Sequence, residues 1–512
     1  MRTLHGVISR RSFLRRAGLA GCGALLADRI LASPYEPVLE DIGVRRQIRI
    51  RGVVRSGNRA VSGVAVSDGV SVVRTGPDGS FELLSDSSRP FAFLSLPAGH
   101  HIPTQANGTA ATFVRLQPDT RGEVAITWQL DPLEVSDERH SFLLLADPQT
   151  LDMDDVGRFH AETVPDIQQT LTLLGDRPVF GVGCGDLMFD RLDLFPQYEE
   201  AVRRTGIPFF QVLGNHDVEV LARTDESSAQ TFRTRFGPTY YSFNRGAVHY
   251  VVLDDVFWFG DGYLGYLDDV QLAWLRADLG AVEAGGPVVV FMHIPSYCTQ
   301  HERWGKSRPE RNVVVVNREA LYRLLEPFAS QVIVGHMHEL EHTTDGGVPV
   351  HVCGAVCGAW WTGEICGDGT PNGYGIFSVE GEELSWRYQA THFPVDHQLR
   401  VYERGADPEA PEEIVANVWD WDPSWEVVWL EDGIRKGRMA RRRGKDPLSV
   451  ALYAGPEVPA KHPWVEPYIT DHLFYAPVAE GAAEILVEVT DGKGRVMTAR
   501  PEPLLGRNLI DQ

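Results

Sequence analysis

The chain has 512 residues, of which 43% are hydrophobic and 10% aromatic, and its formal net charge is −22. A chain of this length exceeds one ordinary hydrophobic core, so we expect a multidomain globular protein. The acidic surface argues against a nucleic acid polymer or an anionic membrane as a partner, because like charges repel. Beyond the N-terminus, no window holds the roughly 18 uninterrupted apolar residues of a membrane span.

The N-terminus has the pattern of an export signal. Adjacent Arg10 and Arg11 precede a stretch of small apolar residues, whereas an amphipathic helix would alternate the two kinds of residue. Residues 1–32 therefore resemble a twin-arginine signal peptide, which predicts export to the periplasm or the medium and cleavage near Ala32. Cys22 ends "LAGC", which resembles a lipoprotein box. The apolar stretch ahead of it, residues 17–21, is very short, so we favour the twin-arginine signal without lipid attachment.

Residues 47–133 predict a small antiparallel β-sandwich. Their short runs alternate apolar and polar residues and are separated by turns such as "PDG" and "SDG", which is typical of such sandwiches. The pattern "TGPDGSFEL" resembles the transthyretin-like, carboxypeptidase regulatory-like domain found in many secreted proteins. That resemblance implies a fold and no function.

Residues 138–384 predict a layered α/β domain. Continuous apolar runs, typical of strands covered on both faces, each end in a polar cluster: "SFLLLADPQ", "VFGVGCGD", "FFQVLGNHD", "VHYVVLDD", "VVVFMHIP" and "QVIVGHMH". Helical periodicity lies between several of them, over Ala161 to Leu174, Phe195 to Thr205, Val270 to Glu283 and Arg318 to Phe328. In such sheets ligands bind at the carboxyl ends of strands, where the polar clusters lie.

Residues 385–512 predict a third, β-rich domain. A proline-rich acidic link, "GADPEAPEE", precedes tryptophan-rich and alternating segments. The basic run 435–445 is expected to be an exposed hairpin, given the acidic whole.

The five cysteines after Cys22 do not have the paired spacings of a disulfide framework or a zinc ribbon. They are Cys184, Cys298, Cys353, Cys357 and Cys366. We expect buried thiols, and a disulfide among the last three stays open in an oxidising compartment.

Polar side chains that follow the buried strands carry the chemistry. Almost all are oxygen or imidazole donors of the kind that bind divalent first-row metals. In chain order they are Asp147, Gln149, Asp186, Asn215, His216, His293, His336 and His338. One such residue has an ordinary explanation as a helix cap or a structural histidine. An ordered series, with each member closing a buried strand, predicts a metal centre.

The motifs "ADPQ", "GD" at 185–186, "GNHD", the histidine of "FMHIP" and "GHMH" resemble, in order, those of the calcineurin-like metallophosphoesterases. The resemblance covers about 140 to 378, and "DGTPNGY", "VWDWDPSWEV" and "TDHLF" resemble a bacterial branch with additional β domains. It implies an α/β/β/α sandwich flanked by an N-terminal β-sandwich and a C-terminal β-rich domain. It also implies two divalent or trivalent metal ions, of manganese, iron, zinc or magnesium.

The resemblance assigns a role to each matched residue. Asp186 would bridge the two metals, Asp147 and His338 would hold the first, and Asn215, His293 and His336 the second. A metal-bridging hydroxide would attack phosphorus. His216 would assist the leaving group as an acid, with Asp217 holding its ring.

Two residues depart from the family pattern. Gln149 stands where the family usually has histidine, and its amide oxygen is a harder donor that favours manganese, iron or magnesium over zinc. Phe189 stands where purple acid phosphatases have the tyrosine that colours their ferric ion, so we expect a protein that is not purple.

Substrate contacts are predicted from two segments near the last ligand strands. Arg303 and Arg308 lie in a basic loop after His293, where a guanidinium can hold a phosphate, although a solvated loop explains them equally. The second segment, "GAWWTGEICGDGTPNGY", offers Trp361, Asn372 and Tyr374 as an aromatic and polar platform, although turns and core packing explain them too.

The motifs predict an exported dinuclear-metal phosphoesterase that hydrolyses phosphomonoesters, with phosphodiesters left open. One alternative is a secreted cell-envelope binding protein with a vestigial metal site, but a relic site would show damage at Asn215 or His216, and both are present. Another is a small-nucleotide pyrophosphatase or phosphodiesterase, which the acidic surface does not disfavour. The substrate is expected to be a phosphorylated small molecule or envelope component, and the oligomeric state stays open.

Overall fold

The structure, a computed structural model, describes residues 45–479 and 481–504. The predicted signal peptide and Cys22 lie outside the described residues. In the described part of the chain, no helix is long and apolar enough to cross a lipid bilayer.

The N-terminal region contains two four-stranded sheets, as the alternating pattern predicts. Its strands are β1 (Gln47–Ser56), β2 (Arg59–Ala60), β3 (Ala65–Ser67), β4 (Val72–Arg74), β5 (Ser80–Asp86), β6 (Phe91–Leu94), β7 (Phe113–Arg115) and β8 (Glu123–Leu130). One sheet has the order β2-β1-β5 with β8 on β1, and the other β4-β3-β6-β7. The prediction of an antiparallel sandwich was wrong for one pair of strands, because residues 49–56 of β1 pair in parallel with β8.

The central region is built from two larger sheets that pack face to face. Its strands are β9 (Arg139–Leu145), β10 (Val179–Cys184), β11 (Phe209–Val212), β12 (Tyr241–Arg245), β13 (Val248–Val252), β14 (Val256–Trp258), β15 (Tyr263–Gly265), β16 (Pro287–Phe291), β17 (Ala329–Val334), β18 (Glu341–Asp345), β19 (Val348–Val352), β20 (Gly373–Glu380) and β21 (Glu383–Ala390). The first sheet has the order β11-β10-β9-β20-β21 and the second β12-β13-β16-β17-β19-β18, while β14 and β15 form a separate two-stranded sheet. Strand β21, which crosses the predicted boundary after residue 384, pairs with β20.

Helices connect many strands of the central region, and the longer ones cover the outer faces of the two sheets. They are α1 (Met153–Arg158), continued by a π-helical turn (Phe159–Thr163) into α2 (Val164–Leu174), a 3-10 turn (Leu192–Leu194), α3 (Phe195–Thr205), α4 (Asp225–Ser228), α5 (Gln230–Phe236), α6 (Asp269–Leu279), α7 (Gln300–Arg303) and α8 (Arg318–Leu325). All four predicted helices are present. The first begins eight residues earlier than predicted, at Met153, because the Asp152 carboxylate accepts hydrogen bonds from the amides of its first turn.

Period-two alternation within a fully buried strand explains the layers. In β9, Phe142 and Leu144 face the second sheet, whereas Leu143 and Leu145 pack under the helices. The ring of Phe142 lies 5.7 Å from that of Tyr250 and 5.4 Å from that of Phe291, both in the second sheet. The domain is therefore an α/β/β/α sandwich, and the predicted fold class is confirmed.

The C-terminal region is rich in strands, as predicted. It contains β22 (Arg400–Tyr402), β23 (Glu413–Asn417), β24 (Glu426–Glu431), β25 (Ile434–Arg438), β26 (Ala440–Lys445), helix α9 (Pro447–Tyr453), β27 (Ile469–Pro477), β28 (Ile485–Thr490), β29 (Val496–Ala499) and β30 (Pro501–Glu502). The basic run 435–445 is exposed but is no hairpin, because β25 pairs with β24 and β26 with β27. The five described cysteines are buried and free.

His140, at the start of β9, makes stability depend on pH. Its Nδ1 lies 2.7 Å from the carbonyl oxygen of Asp137 and its Nε2 lies 2.6 Å from the hydroxyl of Tyr250. Burial, only partly opposed by the Asp137 carbonyl, lowers the pKa of His140 from its usual 6.5 to about 4. Between these values the unfolded chain binds more protons than the folded one. The contribution of neutral His140 to the free energy of unfolding is therefore fully present above pH 6.5. It falls by up to about 3 kcal/mol as the pH is lowered towards 4.

Urea denaturation of the wild type and of His140→Gln at pH 7.5, 6 and 5 tests this dependence. The difference in unfolding free energy between the two proteins is expected to shrink as the pH falls. A difference that stays constant with pH would show that His140 does not titrate in this range.

Candidate metal centre

The predicted donor residues converge at one edge of the two sheets. Asp147 follows β9, Asp186 follows β10, and Asn215 and His216 follow β11, all in the first sheet. His293 follows β16, and His336 and His338 follow β17, in the second sheet. The sequence spreads these residues over almost two hundred positions, but parallel strands end at the same edge, so their side chains meet.

The backbone turns sharply where it leaves these strands. Asp147, Gln149, Asp186, His336 and His338 all have left-handed backbone conformations, with φ between 39° and 71°. Non-glycine residues rarely adopt this region, and where they do the surrounding structure must hold them in place. This geometry is typical of functional sites, where backbone strain orients side chains towards a common centre.

Gly214, the first residue of "GNHD", is required by close packing. A Cβ atom at this position would lie 1.8 Å from the backbone nitrogen of Asp186. Only glycine lets the loop after β11 approach the loop after β10 this closely. The approach allows the backbone N–H of His216 to donate to Asp186 Oδ1 at 2.8 Å.

One half of the site is formed by Asp186, Asn215, His293 and His336. Ligand atoms of Asp186, His293 and His336 all lie within 4.8 Å of one another. His293 Nε2 is the common neighbour: it lies 3.2 Å from Asp186 Oδ1, 3.2 Å from Asn215 Oδ1 and 3.2 Å from His336 Nδ1.

The other half is formed by Asp147, Gln149 and His338. His338 Nε2 lies 3.5 Å from Asp147 Oδ1, and the backbone N–H of His336 donates to both oxygens of this carboxylate. Gln149 Nε2 donates to Asp186 Oδ2 at 2.8 Å, which places Asp186 between the two halves. Gln149 Oε1 is buried, and within the described residues it has no hydrogen-bond partner.

Backbone carbonyls orient the three histidines. Nδ1 of His293 lies 3.0 Å from the Cys184 oxygen, and Nδ1 of His338 lies 2.8 Å from the Gly358 oxygen. His336 is turned the other way, with Nε2 2.8 Å from the Asn312 oxygen. Because the nitrogen facing a carbonyl carries the proton, the opposite nitrogen of each ring is left as a metal ligand.

Charge in the site is concentrated around Asp186. Burial disfavours its ionised form, but the neighbouring His293 and His216 outweigh burial and lower the pKa of this carboxyl. Burial lowers the pKa of His293, but Asp186 and Asp147 outweigh burial and raise it to about 10. A metal ion that binds this ring would therefore displace the second proton. The pKa of His336 is lowered to about 3 by burial and by His293. The centre therefore keeps the buried Asp186 carboxylate ionised, as a cation site requires.

The residues present fit two metal ions. The imidazole, carboxylate and amide donors suit divalent first-row metals, and the unpartnered Gln149 Oε1 provides a further oxygen. Asp147, Gln149 and His338 would hold one ion, Asn215, His293 and His336 the other, and Asp186 both.

His216 is placed at the open side of this centre. Its side chain is 26% exposed, so a substrate can reach it, and its Nδ1 lies 2.9 Å from Asp190 Oδ1. Burial lowers its pKa, but Asp190 and Asp186 outweigh this and raise it to about 9. With Nδ1 held by Asp190, Nε2 is the nitrogen available to a substrate.

The predicted role of Asp217 was wrong. Its fully buried carboxylate accepts hydrogen bonds from the backbone N–H groups of Leu187, Met188 and Gly214, so it joins two loops and does not hold the ring of His216. The sequence reasoning missed Asp190, which holds that ring. The available signal was its position four residues after Asp186, within the same strand-end loop.

Three predicted substrate contacts are part of the protein interior. The ring of Trp361 is buried and donates from Nε1 to the Pro148 oxygen. The hydroxyl of Tyr374 is bonded to Thr170 and Asp166 beneath α2. Asn372 is 8% exposed and donates to the Gly363 oxygen. These contacts explain the conformation of the loop and correct the prediction of a substrate platform.

The two arginines predicted to contact the substrate differ in their exposure to solvent. Arg308 is exposed in the loop after α7, and its role stays a prediction. Arg303 is 7% exposed and makes two hydrogen bonds to the Glu339 carboxylate, at 2.6 and 2.9 Å, with Glu341 at 3.4 Å. It also donates to the Ile469 carbonyl at the start of β27. Arg303 is therefore a structural link to the C-terminal region and no phosphate ligand.

Arg303→Leu is expected to lower the free energy of unfolding by about 3–5 kcal/mol, because it leaves two buried carboxylates without their cation. Urea denaturation measures this loss. Lys306→Leu is the matched control, since its ion pair with Glu310 is exposed and such pairs contribute at most about 1 kcal/mol. A stable Arg303→Leu variant with a raised KM would restore the substrate role.

Comparisons with known proteins agree with this geometry. The profile described as the N terminal of calcineurin-like phosphoesterase matches residues 48–132, the profile of calcineurin-like phosphoesterase itself residues 140–340, and that of the C terminal residues 350–497. The chain belongs to the calcineurin-like phosphoesterases. It is a metal-dependent phosphoric ester hydrolase.

Curated relatives are phosphatases. The chain is 27% identical over 253 residues to the serine/threonine-protein phosphatase CPPED1 of Danio rerio, covering 47% of this chain and 75% of that protein. It is 28% identical over 151 residues to purple acid phosphatase 15 of Arabidopsis thaliana, covering 27% of this chain and 25% of that protein.

Two solved structures are similar over part of the chain. Purple acid phosphatase PPD1 from yellow lupin has 14% identity and a TM-score of 0.35, covering 68% of each chain. GAP50, the anchor in the inner membrane complex of Plasmodium, has 14% identity and a TM-score of 0.31, covering 49% of this chain and 84% of that one.

Proposed function

We propose that this chain is an exported phosphatase that hydrolyses small phosphomonoesters. The observation that carries the proposal is the placement of His216, which is accessible, tethered to Asp190 and adjacent to the donor cluster around Asp186. The phosphatase relatives support hydrolysis of a phosphate ester. The pattern of residues 1–32 supports export.

The site residues have two roles: the donor cluster around Asp186 would bind metal, and His216 with Asp190 transfers a proton. When bound, two divalent ions lower the pKa of a water molecule and neutralise the charge of the phosphoryl group. His216 donates the proton on Nε2 to the ester oxygen as its bond to phosphorus breaks. Asp190 keeps the proton of Nδ1 in place and stabilises the charged ring beforehand. The leaving group departs as a neutral alcohol, the oxygen of a water molecule replaces it on phosphorus to give inorganic phosphate, and His216 recovers its proton from solvent.

Hydrolysis of p-nitrophenyl phosphate and bis-p-nitrophenyl phosphate tests the reaction. The protein is stripped of metal and refilled singly with manganese, iron, zinc or magnesium. We expect turnover that requires metal, with the monoester faster than the diester. A faster diester would replace the phosphatase with a phosphodiesterase. Absence of turnover with every metal, from protein shown to bind two ions, would contradict the proposal.

Export is tested separately by fractionating cells that make the full chain. We expect the wild type outside the cytoplasm, and the double variant Arg10→Lys, Arg11→Lys retained inside it, because the twin arginines are the feature that the export machinery reads. An unchanged distribution would contradict the export proposal and leave the hydrolase proposal standing.

A further inference from the structure

A continuous series of aromatic rings connects two residues of the metal centre. We call it the aromatic arch. It runs from His216 through Phe189, His462, Trp464 and Trp360 to His338. The successive ring centroids are 4.6, 5.6, 5.3, 4.6 and 4.2 Å apart, all within the range of attractive ring contacts. Both ends of the arch are residues of the catalytic centre.

The middle of the arch comes from the C-terminal region. His462 and Trp464 lie in the loop between α9 and β27, about 250 residues away from His216 in the sequence. No motif of the metal centre includes them. The C-terminal β-rich region therefore contributes directly to the surroundings of the active site.

The loop that carries His462 is tied to the central region. The Lys461 ammonium forms ion pairs with Asp152, at 3.2 Å, and with Asp155. Four residues after Trp464, the backbone N–H of Tyr468 donates to the Gly367 oxygen at 2.8 Å. These contacts hold His462 and Trp464 in place before a substrate arrives.

The arch has the chemistry of a surface for an uncharged ring. Phe189, Trp360, His462 and Trp464 are each partly exposed. Burial and the neighbouring Lys461 lower the pKa of His462 to about 4, so its ring is neutral at pH 7. Among the described residues, the ring nitrogens of His462 have no hydrogen-bond partner. An imidazole N–H or lone pair is therefore available to a ligand.

The position of the arch next to His216 indicates which part of the substrate it would contact, namely the leaving group. His216 protonates the ester oxygen in the proposed reaction. The group attached to that oxygen therefore lies next to Phe189, the ring of the arch that contacts His216. A flat ring on that oxygen can pack against Phe189, His462 and Trp464, whereas a short alkyl group cannot reach beyond Phe189. Rigid aromatic side chains bind a flat face with little loss of conformational entropy.

We propose that the aromatic arch is the leaving-group subsite of this enzyme and that it selects phosphate esters whose leaving group contains a planar ring, an aryl group or a nucleobase. This inference rests on the proposed phosphatase function and specifies its substrate class. Trp464 and His462 are specificity-determining residues supplied by the C-terminal region.

Binding of two non-hydrolysable phosphonates to the metal-loaded full chain tests the proposal. Phenylphosphonate carries a planar ring on phosphorus, and methylphosphonate does not. Isothermal titration is expected to show phenylphosphonate binding at least about tenfold more tightly than methylphosphonate in the wild type. In Trp464→Ala the ratio of the two dissociation constants is expected to fall about tenfold, with most of the change in phenylphosphonate binding.

Two further variants separate packing from folding. Trp464→Phe keeps a ring and is expected to retain most of the preference, and thermal unfolding shows whether Trp464→Ala remains folded. Trp421→Ala is the matched control, because Trp421 is a partly buried tryptophan of the same region whose ring packs on Phe474 and Arg441. It is expected to keep the wild-type ratio.

The possible results are distinct. Equal affinities for both phosphonates in the wild type, or a ratio unchanged in folded Trp464→Ala, would overturn the arch proposal while leaving phosphatase activity intact. Failure of both phosphonates to bind, together with no turnover of p-nitrophenyl phosphate, would instead overturn the proposed function.

Discussion

Asp186→Asn is expected to lower kcat by about 10³ or more and to remove bound metal. Asp186 is the carboxylate that both halves of the centre share, through His293 on one side and Gln149 on the other. A neutral amide has the same shape but offers one oxygen and no charge, so it cannot offset the charge of two adjacent cations. Metal analysis of the purified variant and its rate with p-nitrophenyl phosphate measure the two effects.

Asp278→Asn is the matched control for this experiment. Asp278 is also a buried carboxylate, paired with His249 at 2.9 Å and bonded to Ser242, but it lies outside the metal centre. We expect a loss of stability with the metal content unchanged. Full metal content and full activity in Asp186→Asn would show that other residues hold the ions.

His216→Ala is expected to lower kcat by about 10² to 10⁴ without changing the metal content. The loss follows from removing the proton donor for the leaving oxygen, while the donor cluster around Asp186 is untouched. Asp190→Asn is expected to lower kcat by about tenfold, because the ring stays in place but its charged form loses a carboxylate partner. Rates for p-nitrophenyl phosphate and metal analysis measure both variants.

Leaving-group dependence identifies the role of His216 more directly than the rate itself. The loss in His216→Ala is expected to be larger for phenyl phosphate than for p-nitrophenyl phosphate, since the poorer leaving group needs the proton more. Equal losses in His216→Ala for phenyl phosphate and p-nitrophenyl phosphate would contradict proton donation by His216.

Asp193→Asn is the control for Asp190→Asn, because this nearby carboxylate is exposed and pairs with Arg191.

The sequence was informative wherever a property depends on neighbouring residues. Continuous apolar runs predicted the buried strands of the central sheets, because a strand covered on both faces must be apolar throughout. Alternation of apolar and polar residues predicted β1, β5 and β8, because successive side chains of a strand point to opposite faces and only one face of these strands is buried. The polar residues that end the runs then predicted the metal centre, since strand ends share one edge of a sheet.

Roles that depend on the exact direction of a side chain were not predictable. Asp217 and Asp190 are both acidic and both close to His216, and only the folded loops show that the first caps backbone N–H groups while the second holds the ring. Arg303 was predicted to bind phosphate because it lies in a basic loop. Its burial between Glu339 and Glu341 depends on residues far along the chain.

By itself, then, the sequence determined the apolar strands that lead to the metal centre, four of the helices and the set of donor residues, because hydrophobic periodicity and motif order are local properties of the chain. The α/β/β/α arrangement was implied by the resemblance of those motifs to a known family. Only the tertiary structure decided the parallel pairing of β1 with β8, the partner of His216 and the aromatic arch. Each of these depends on contacts between residues distant in sequence. The arch brings Phe189, Trp360 and His462 together, and no local pattern records which distant rings will meet once the chain has buried its apolar surface.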